Sequence, residues 1–408
     1  MHKIFTVSIL ALVLLLAAST MGQVIVSTLT AELNASGGVA VDTAGFVYVA
    51  DFGIFLNMAN GTNVYRVSPQ DGSFTVFASG LQGASGNDFD SQGNLFQSNI
   101  AASKISKINP QGVVTDFVSA NIQNPVGIAV GPGDTVFVAN CGNNTITKIT
   151  PDGISNVFVS SNLLNCPNGL TMDDQLNLYT SNFSNGWVVK ITPDGTVSNF
   201  AFIPGNNNGH LTFANGKLYV VARCNNQIYE VELDGTRNLL AGSGTPGNED
   251  GPALQATFFL PNGIRASLTG DTLYVNDDTA TNSGCSSSAL NPVVVRMIMG
   301  VNPPTEITDI GGEKPQSFRL EQNYPNPFNP NTIISYSLPQ TSGINIIIYN
   351  MLGQKIRSLV DELNQSAGTY TTQWDGRDDA GKQVPSGIYI YRMWVGEFVQ
   401  SRKMMLLR

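Results

Sequence analysis

The feature that most constrains this chain is a phrase that returns six times: a Gly-led apolar strand, a turn, then an aromatic strand. It reads GGVAVDTAGFVYVAD from Gly37, GNDFDSQGNLFQSN from Gly86 and GIAVGPGDTVFVAN from Gly127. It returns as GLTMDDQLNLYTSN from Gly169, GHLTFANGKLYVVA from Gly209 and GIRASLTGDTLYVND from Gly263. The leading position falls at Gly38, Gly86, Gly127, Gly169, His210 and Gly263, so the spacings are 48, 41, 42, 41 and 53. A period of this size with several short strands per unit predicts a β-propeller. Six units predict six blades.

Alternation and turn chemistry supply four strands per unit. In the third they are expected at Gly127–Val130, Thr135–Val138, Thr145–Ile149 and Ser155–Val159. Pro151-Asp152-Gly153 joins the last two, and Pro193-Asp194-Gly195 repeats it one unit later. Pro presets φ, Asp bonds its own backbone and Gly accepts a positive φ. The sixth unit stops after a third strand at Val293–Met299, while Val24–Leu29 reads like a fourth strand without a unit. The N-terminal strand is therefore expected to complete the last blade and close the ring, which removes the exposed edges an open array would leave.

The stretch AGSGTPGNEDGPALQATFFLPNGI from Ala241 to Ile264, with LYV and KITPDG, resembles the NHL-repeat propellers. More loosely, residues 24–300 resemble the group containing the SMP-30/gluconolactonase and virginiamycin B lyase propellers. That resemblance implies a propeller fold and leaves activity open, because such propellers include enzymes and binding platforms.

Both ends of the chain read as addresses. Lys3, an apolar run from Ile4 to Ala18 and small residues before Gly22 describe a secretory signal peptide over 1–22. No transmembrane segment is expected, since no other run approaches the ~20 apolar residues a spanning helix needs. Residues 300–316, with Pro303, Pro304 and Pro315, read as a linker after a propeller at 23–299. Beyond it the charge balance changes: the chain carries −9 overall, yet Arg319–Arg408 holds nine Lys and Arg against seven Asp and Glu. Strands expected at Ile333–Leu338, Ile344–Tyr349, Gly368–Trp374 and Gly387–Trp394, with turn glycines between them, make a small Ig-like β-sandwich. NYPNPFNP at Asn323–Pro330 and WDGRDDAGKQVPSGIYIYR from Trp374 resemble the C-terminal sorting domain of the type IX secretion system, of FlgD-like Ig fold. This resemblance spans 317–408 and implies export past the outer membrane, the type IX machinery as partner, and a secreted or cell-surface location.

Charged residues make up 12% of the chain, against the usual ~25%. Nucleic acid is not expected as a partner, because a phosphate-backbone binder needs clustered Lys and Arg. Candidate ligand contacts lie at strand ends, where loops on a rigid scaffold carry function. Asn168 and Asn262 stand in Pro-Asn-Gly before the glycine column, and His210 replaces its glycine in the fifth unit, with Arg223 near by in the sequence. The second strands end at Asp51, Asn99, Asn140, Asn182, Ala222 and Asp277. This column is expected to cap turns, while Asp277, with the other four, is kept as a ligand contact. In gluconolactonase-like propellers the Pro-Asn-Gly Asn helps bind a divalent cation; Asn168 and Asn262 match that motif, and oxygen ligands would suit Ca²⁺. That family's early Glu has no counterpart here, and a single His outside the signal segment leaves no paired lyase histidines. No catalytic residue is assigned. The reading is a propeller that binds a small-molecule, glycan or protein ligand at its mouth, with a lactone hydrolase or lyase as the alternative.

Four cysteines permit three pairings. Cys141 and Cys224 follow second strands, Cys166 precedes the first strand of the fourth unit, and Cys285 lies in the loop of the sixth. All four fall on one face of a propeller, as pairs on adjacent blades. Disulfide geometry then predicts Cys141–Cys166 and Cys224–Cys285, the alternative being four unpaired thiols.

Overall fold

The structure, a computed structural model, describes residues 24–279, 285, 290–301, 317–321, 323, 328, 332–379, 381–396 and 398–406. The expected signal peptide, most of the expected linker and most of the NYPNPFNP phrase lie outside them. Among the described residues all extended structure is β, and no helix is long and apolar enough to cross a membrane.

Residues 24–301 carry six sheets. Five are four-stranded antiparallel meanders in sequence order. The third runs Pro125–Gly131, Thr135–Asn140, Thr145–Ile149 and Ser155–Ser160, extending most of the expected strands by one or two residues. The two inner strands of a blade are buried on both faces, as Leu178–Asn182 is, whereas outer strands such as Val197–Phe202 show one face to water. The innermost strands lie side by side in a closed cycle, with Ile264–Ala266 against Val39–Val41 to complete it. The result is a β-propeller. Pro-Asp-Gly turns join third to fourth strands as expected: Thr150 and Thr192 hydroxyls donate to Asp152 and Asp194. Gly153 and Gly195 take φ of +89° and +86°.

Ring closure is also as expected. Ile25–Thr28 lies antiparallel to Val293–Met299, with Ile25 opposite Met299 and Thr28 opposite Arg296. The sixth sheet then gains a fifth strand that sequence reading missed, because Gly251–Pro252 pairs with the outer side of Ile25–Val26. The segment that follows it packs Ala253, Ala256 and Phe258 into the core beside Val26. Arg296, fully buried, ties these pieces together: Nη1 meets Asp277 Oδ2 at 2.8 Å and Nη2 meets Asp250 Oδ1 at 2.8 Å. Asp250 in turn accepts from Thr28 N and Oγ1, both at 2.9 Å.

The C-terminal region forms a two-sheet Ig-like domain. One sheet contains Arg319–Leu320, Thr332–Leu338 and Gly368–Trp374. The other contains Lys355–Gln365, Ser342–Asn350, Gly387–Val395 and Phe398–Leu406. Inward residues such as Ile334, Ile346 and Met393 alternate with outward polar ones along the strands. Buried polar tips find partners: Trp374 Nε1 donates to Arg377 O at 2.8 Å, and Tyr391 Oη donates to Glu321 O at 2.7 Å.

Candidate functional site

The glycine column marks where the inner strands touch. A Cβ on Gly38 would stand 2.7 Å from Gly86 Cα, and on Gly86 2.2 Å from Val126 O. On Gly127 it would meet Asn168 O at 2.3 Å, on Gly169 Leu211 N at 2.6 Å, and on Gly263 Gly37 O at 2.4 Å. Each glycine therefore lets its strand approach the next, and backbone bonds follow: Gly38 N donates to Ser85 O at 3.0 Å, and His210 N to Asn262 O at 2.9 Å. At this level each inner strand abuts its neighbours through main chain.

The expected ligand contacts sit at or beside this level. Asn168 Nδ2 donates to Asn208 O at 2.8 Å and Asn262 Nδ2 to Ser36 O at 2.7 Å, so both stitch their blade to the next. They stand on the fourth and sixth blades without a shared carboxylate. Among the described residues no group of three or more His, Cys, Asp or Glu is placed to hold a metal ion. This arrangement does not fit a divalent cation held by the Pro-Asn-Gly motif. Asp277 faces Arg296, Asn248 and Phe259 N in a buried network, and burial pushes its carboxyl up to about 7 against the pull of Arg296. Arg223, on a short 3₁₀ turn, is 1% exposed and donates to Cys285 O at 3.0 Å. With Asn262 it lines a space of about 10 Å³, room for about one water molecule. His210 is buried, which pushes its pKa down to about 4 and leaves the imidazole neutral. Its Nε2, both amide atoms of Asn208 and Arg223 Nη2 have no partner among the described residues. Both disulfides, Cys141–Cys166 and Cys224–Cys285, form on this face with the expected pairing.

The second-strand column caps turns. Asn99, Asn140 and Asn182 accept from Gln82 N, Gln123 N and Asn165 N at 2.9–3.0 Å, each in the loop entering its own blade. Their amides are spent too, on Ser106 Oγ, Thr147 Oγ1 and Leu163 O. Asp277 does the same for Phe259 N at 2.8 Å.

Room for a ligand lies at the other end of the axis. There the inner strands diverge past the glycine column and leave a cavity of about 410 Å³ to which all six blades contribute. Its polar side carries Asp88 and Arg265, joined at 2.6 Å across the first blade. Asp88 Oδ2 also accepts from Val130 N at 2.9 Å. Thr171, Thr212 and Asn215 add further polar groups, and Val41, Met172 and Phe213 supply the apolar side. Sequence reading missed this site. Its only signal was Asp88 and Arg265, two charged residues at an inner-strand position that holds Ala or Thr in the other four repeats.

Comparison with known proteins supports the fold and its two parts. A family model for the NHL repeat matches residues 123–149, and one for the FlgD Ig-like domain matches residues 330–395. No curated protein matches the chain. Among solved structures, an auxiliary nutrient binding protein from Bacteroides thetaiotaomicron is 12% identical with a TM-score of 0.55, covering 67% of this chain and 76% of that one. A gluconolactonase from Xanthomonas campestris is 14% identical with a TM-score of 0.51, covering 68% and 91%. Virginiamycin B lyase from Staphylococcus aureus is 18% identical with a TM-score of 0.48, covering 67% and 99%. At these identities the first two likenesses establish a shared β-propeller fold and nothing about activity.

Proposed function

We propose that this chain is an exported propeller that binds a ligand in its axial cavity, and that the C-terminal Ig-like domain is the type IX sorting signal that takes it to the cell surface or beyond. The cavity carries the binding half of the reading: a concave site of about 410 Å³ on a rigid ring, with a few convergent polar groups among apolar ones. The FlgD Ig-like match and the two disulfides support the export half, since disulfides persist in oxidising compartments. Filling the cavity tests the binding half. Ala214→Trp, placed at the cavity wall on the end of an inner strand, should abolish ligand-induced thermal shifts across a metabolite panel while leaving the melting curve intact. Unchanged shifts in that variant would remove the cavity from the reading. Expression in a type IX-competent host, with intact-mass analysis of secreted material, tests the export half; full-length chain held in the cytoplasm would refute it.

The second reading is a lactone hydrolase or lyase working at the glycine end of the axis. It draws on the gluconolactonase likeness and on the unpaired atoms of His210, Asn208 and Arg223. Metal analysis followed by a lactonase panel separates the two. Turnover lost on His210→Ala and kept in Ala214→Trp would favour the enzyme.

A further inference from the structure

We propose that the axial cavity selects a small organic monocarboxylate, with Arg265 as its anchor; this rests on the cavity being the binding site. Arg265 reaches the axis from the sixth blade, and its Nη2 lies 2.6 Å from Asp88 Oδ1 of the second. That single contact holds the guanidinium in place without exhausting it. Of its five N–H donors one is directed at Asp88, and the side chain keeps 29% exposure towards the cavity. A planar fork of this kind matches a carboxylate with two parallel hydrogen bonds, which a water-exposed lysine would not reproduce.

Asp88 does not compete for the same role. Its two oxygens accept from Arg265, Val130 N at 2.9 Å and Phe89 N at 3.0 Å, so its charge is already satisfied on three sides. It orients the cation and leaves the open donors for a guest. The remainder of the wall fits an anion with an apolar body. Thr171 Oγ1 accepts from Phe213 N at 3.1 Å and retains its own hydrogen to donate, while Val41, Met172 and Phe213 offer apolar contact. Charge count sets the valence. Asp88 and the exposed Asp174 line the same cavity as the one guanidinium, so a second negative charge on the guest would face carboxylates unopposed.

The test uses the full chain and four probes: benzoate and hexanoate as carboxylates, benzamide as the uncharged isostere, and methyl glucoside as an uncharged polyol. Binding is read by calorimetry and by NMR shifts of the probe. Benzoate and hexanoate should bind at least about tenfold more tightly than benzamide, weaken as salt rises, and lose about tenfold in Arg265→Gln. Arg265→Lys should recover part of the loss, since it restores charge without the fork. Thermal melting of each variant confirms folding, and Ala214→Trp should block every probe. Equal binding of benzoate and benzamide, or benzoate binding undiminished in a folded Arg265→Gln, overturns the proposal. Methyl glucoside bound and blocked by Ala214→Trp, with no benzoate binding, overturns the carboxylate class while the cavity reading stands. Failure of all four probes in the wild-type chain overturns the carboxylate class, and the cavity reading then falls with the metabolite panel if that too is silent.

Discussion

The third blade and the sixth reach the same shape by different means. The third is one continuous stretch, Pro125 to Ser160, whose turns are made by neighbouring residues and whose cap, Asn140, bonds within its own blade and the loop that enters it, at Gln123 and Asn121. The sixth gathers Ile25–Thr28, Gly251–Pro252 and Ile264–Met299 from distant parts of the chain. Where the third blade holds its loops with neutral amide bonds, the sixth uses Asp277, Asp250 and a fully buried Arg296. Local closure is secured by turn chemistry. Closure between chain ends needs an interaction strong enough to offset the entropy of a loop spanning most of the propeller.

The sharpest way to break that contrast is to remove residues 24–29. The strand Val293–Met299 would lose its partner, Asp250 would lose Thr28, and the ring would open. Destabilisation above about 5 kcal/mol, or outright aggregation, is expected in thermal melts. Removing 317–408 should leave the propeller transition in place; equal stability of the strand-deleted chain would refute closure.

Next in size is Asp277→Ala, which leaves Arg296 buried with one of its two carboxylate partners gone. A loss of about 3–5 kcal/mol by urea unfolding is expected for breaking a buried pair. A loss below 1 kcal/mol, on the order of a surface ion pair, would show that the network is not what holds the blade.

His210 probes the seam between the fifth and sixth blades. Its pKa is about 4 in the fold, against an ordinary value near 6.5, so the unfolded chain takes up a proton first as pH falls. Stability is therefore fully present above about pH 6.5 and declines as pH drops towards 4, by about 3 kcal/mol from this group. His210→Gly, which restores the glycine column, should flatten that part of the profile; an identical pH dependence in the variant would contradict burial of the imidazole.

The smallest effect belongs to the third blade. Asn140→Ala strands Gln123 N and should cost about 1–2 kcal/mol without opening the ring. If it matched Asp277→Ala, the distinction between the two blades would dissolve.

Much of this was legible in the residues. The Asn column, the Pro-Asp-Gly turns and both cysteine pairs depend on a few residues around a strand end, and such chemistry repeats visibly from unit to unit. The strand Gly251–Pro252 escaped notice because two residues carry no alternation, and their partner lies more than 200 positions away. Lys355–Gln365 in the Ig-like domain was missed for another reason. Its charged residues Asp361 and Glu362 hide a half-exposed strand whose register also shifts against its neighbour.

The sequence by itself determined the ring: a period near forty-two residues, glycines where strands must touch, and an orphan strand at one end of the array that fits the strand missing at the other. It could not determine which end of the axis offers room for a ligand. That depends on side-chain volume summed over six strands, each some forty residues from the next, and on the angle at which those strands diverge. At the glycine level a missing Cβ brings the backbones of neighbouring blades into contact. Two residues further along the inner strands, the blades have spread far enough for Asp88 and Arg265 to meet across open space. Only the packed structure decides that distance, because it is set by all six blades at once.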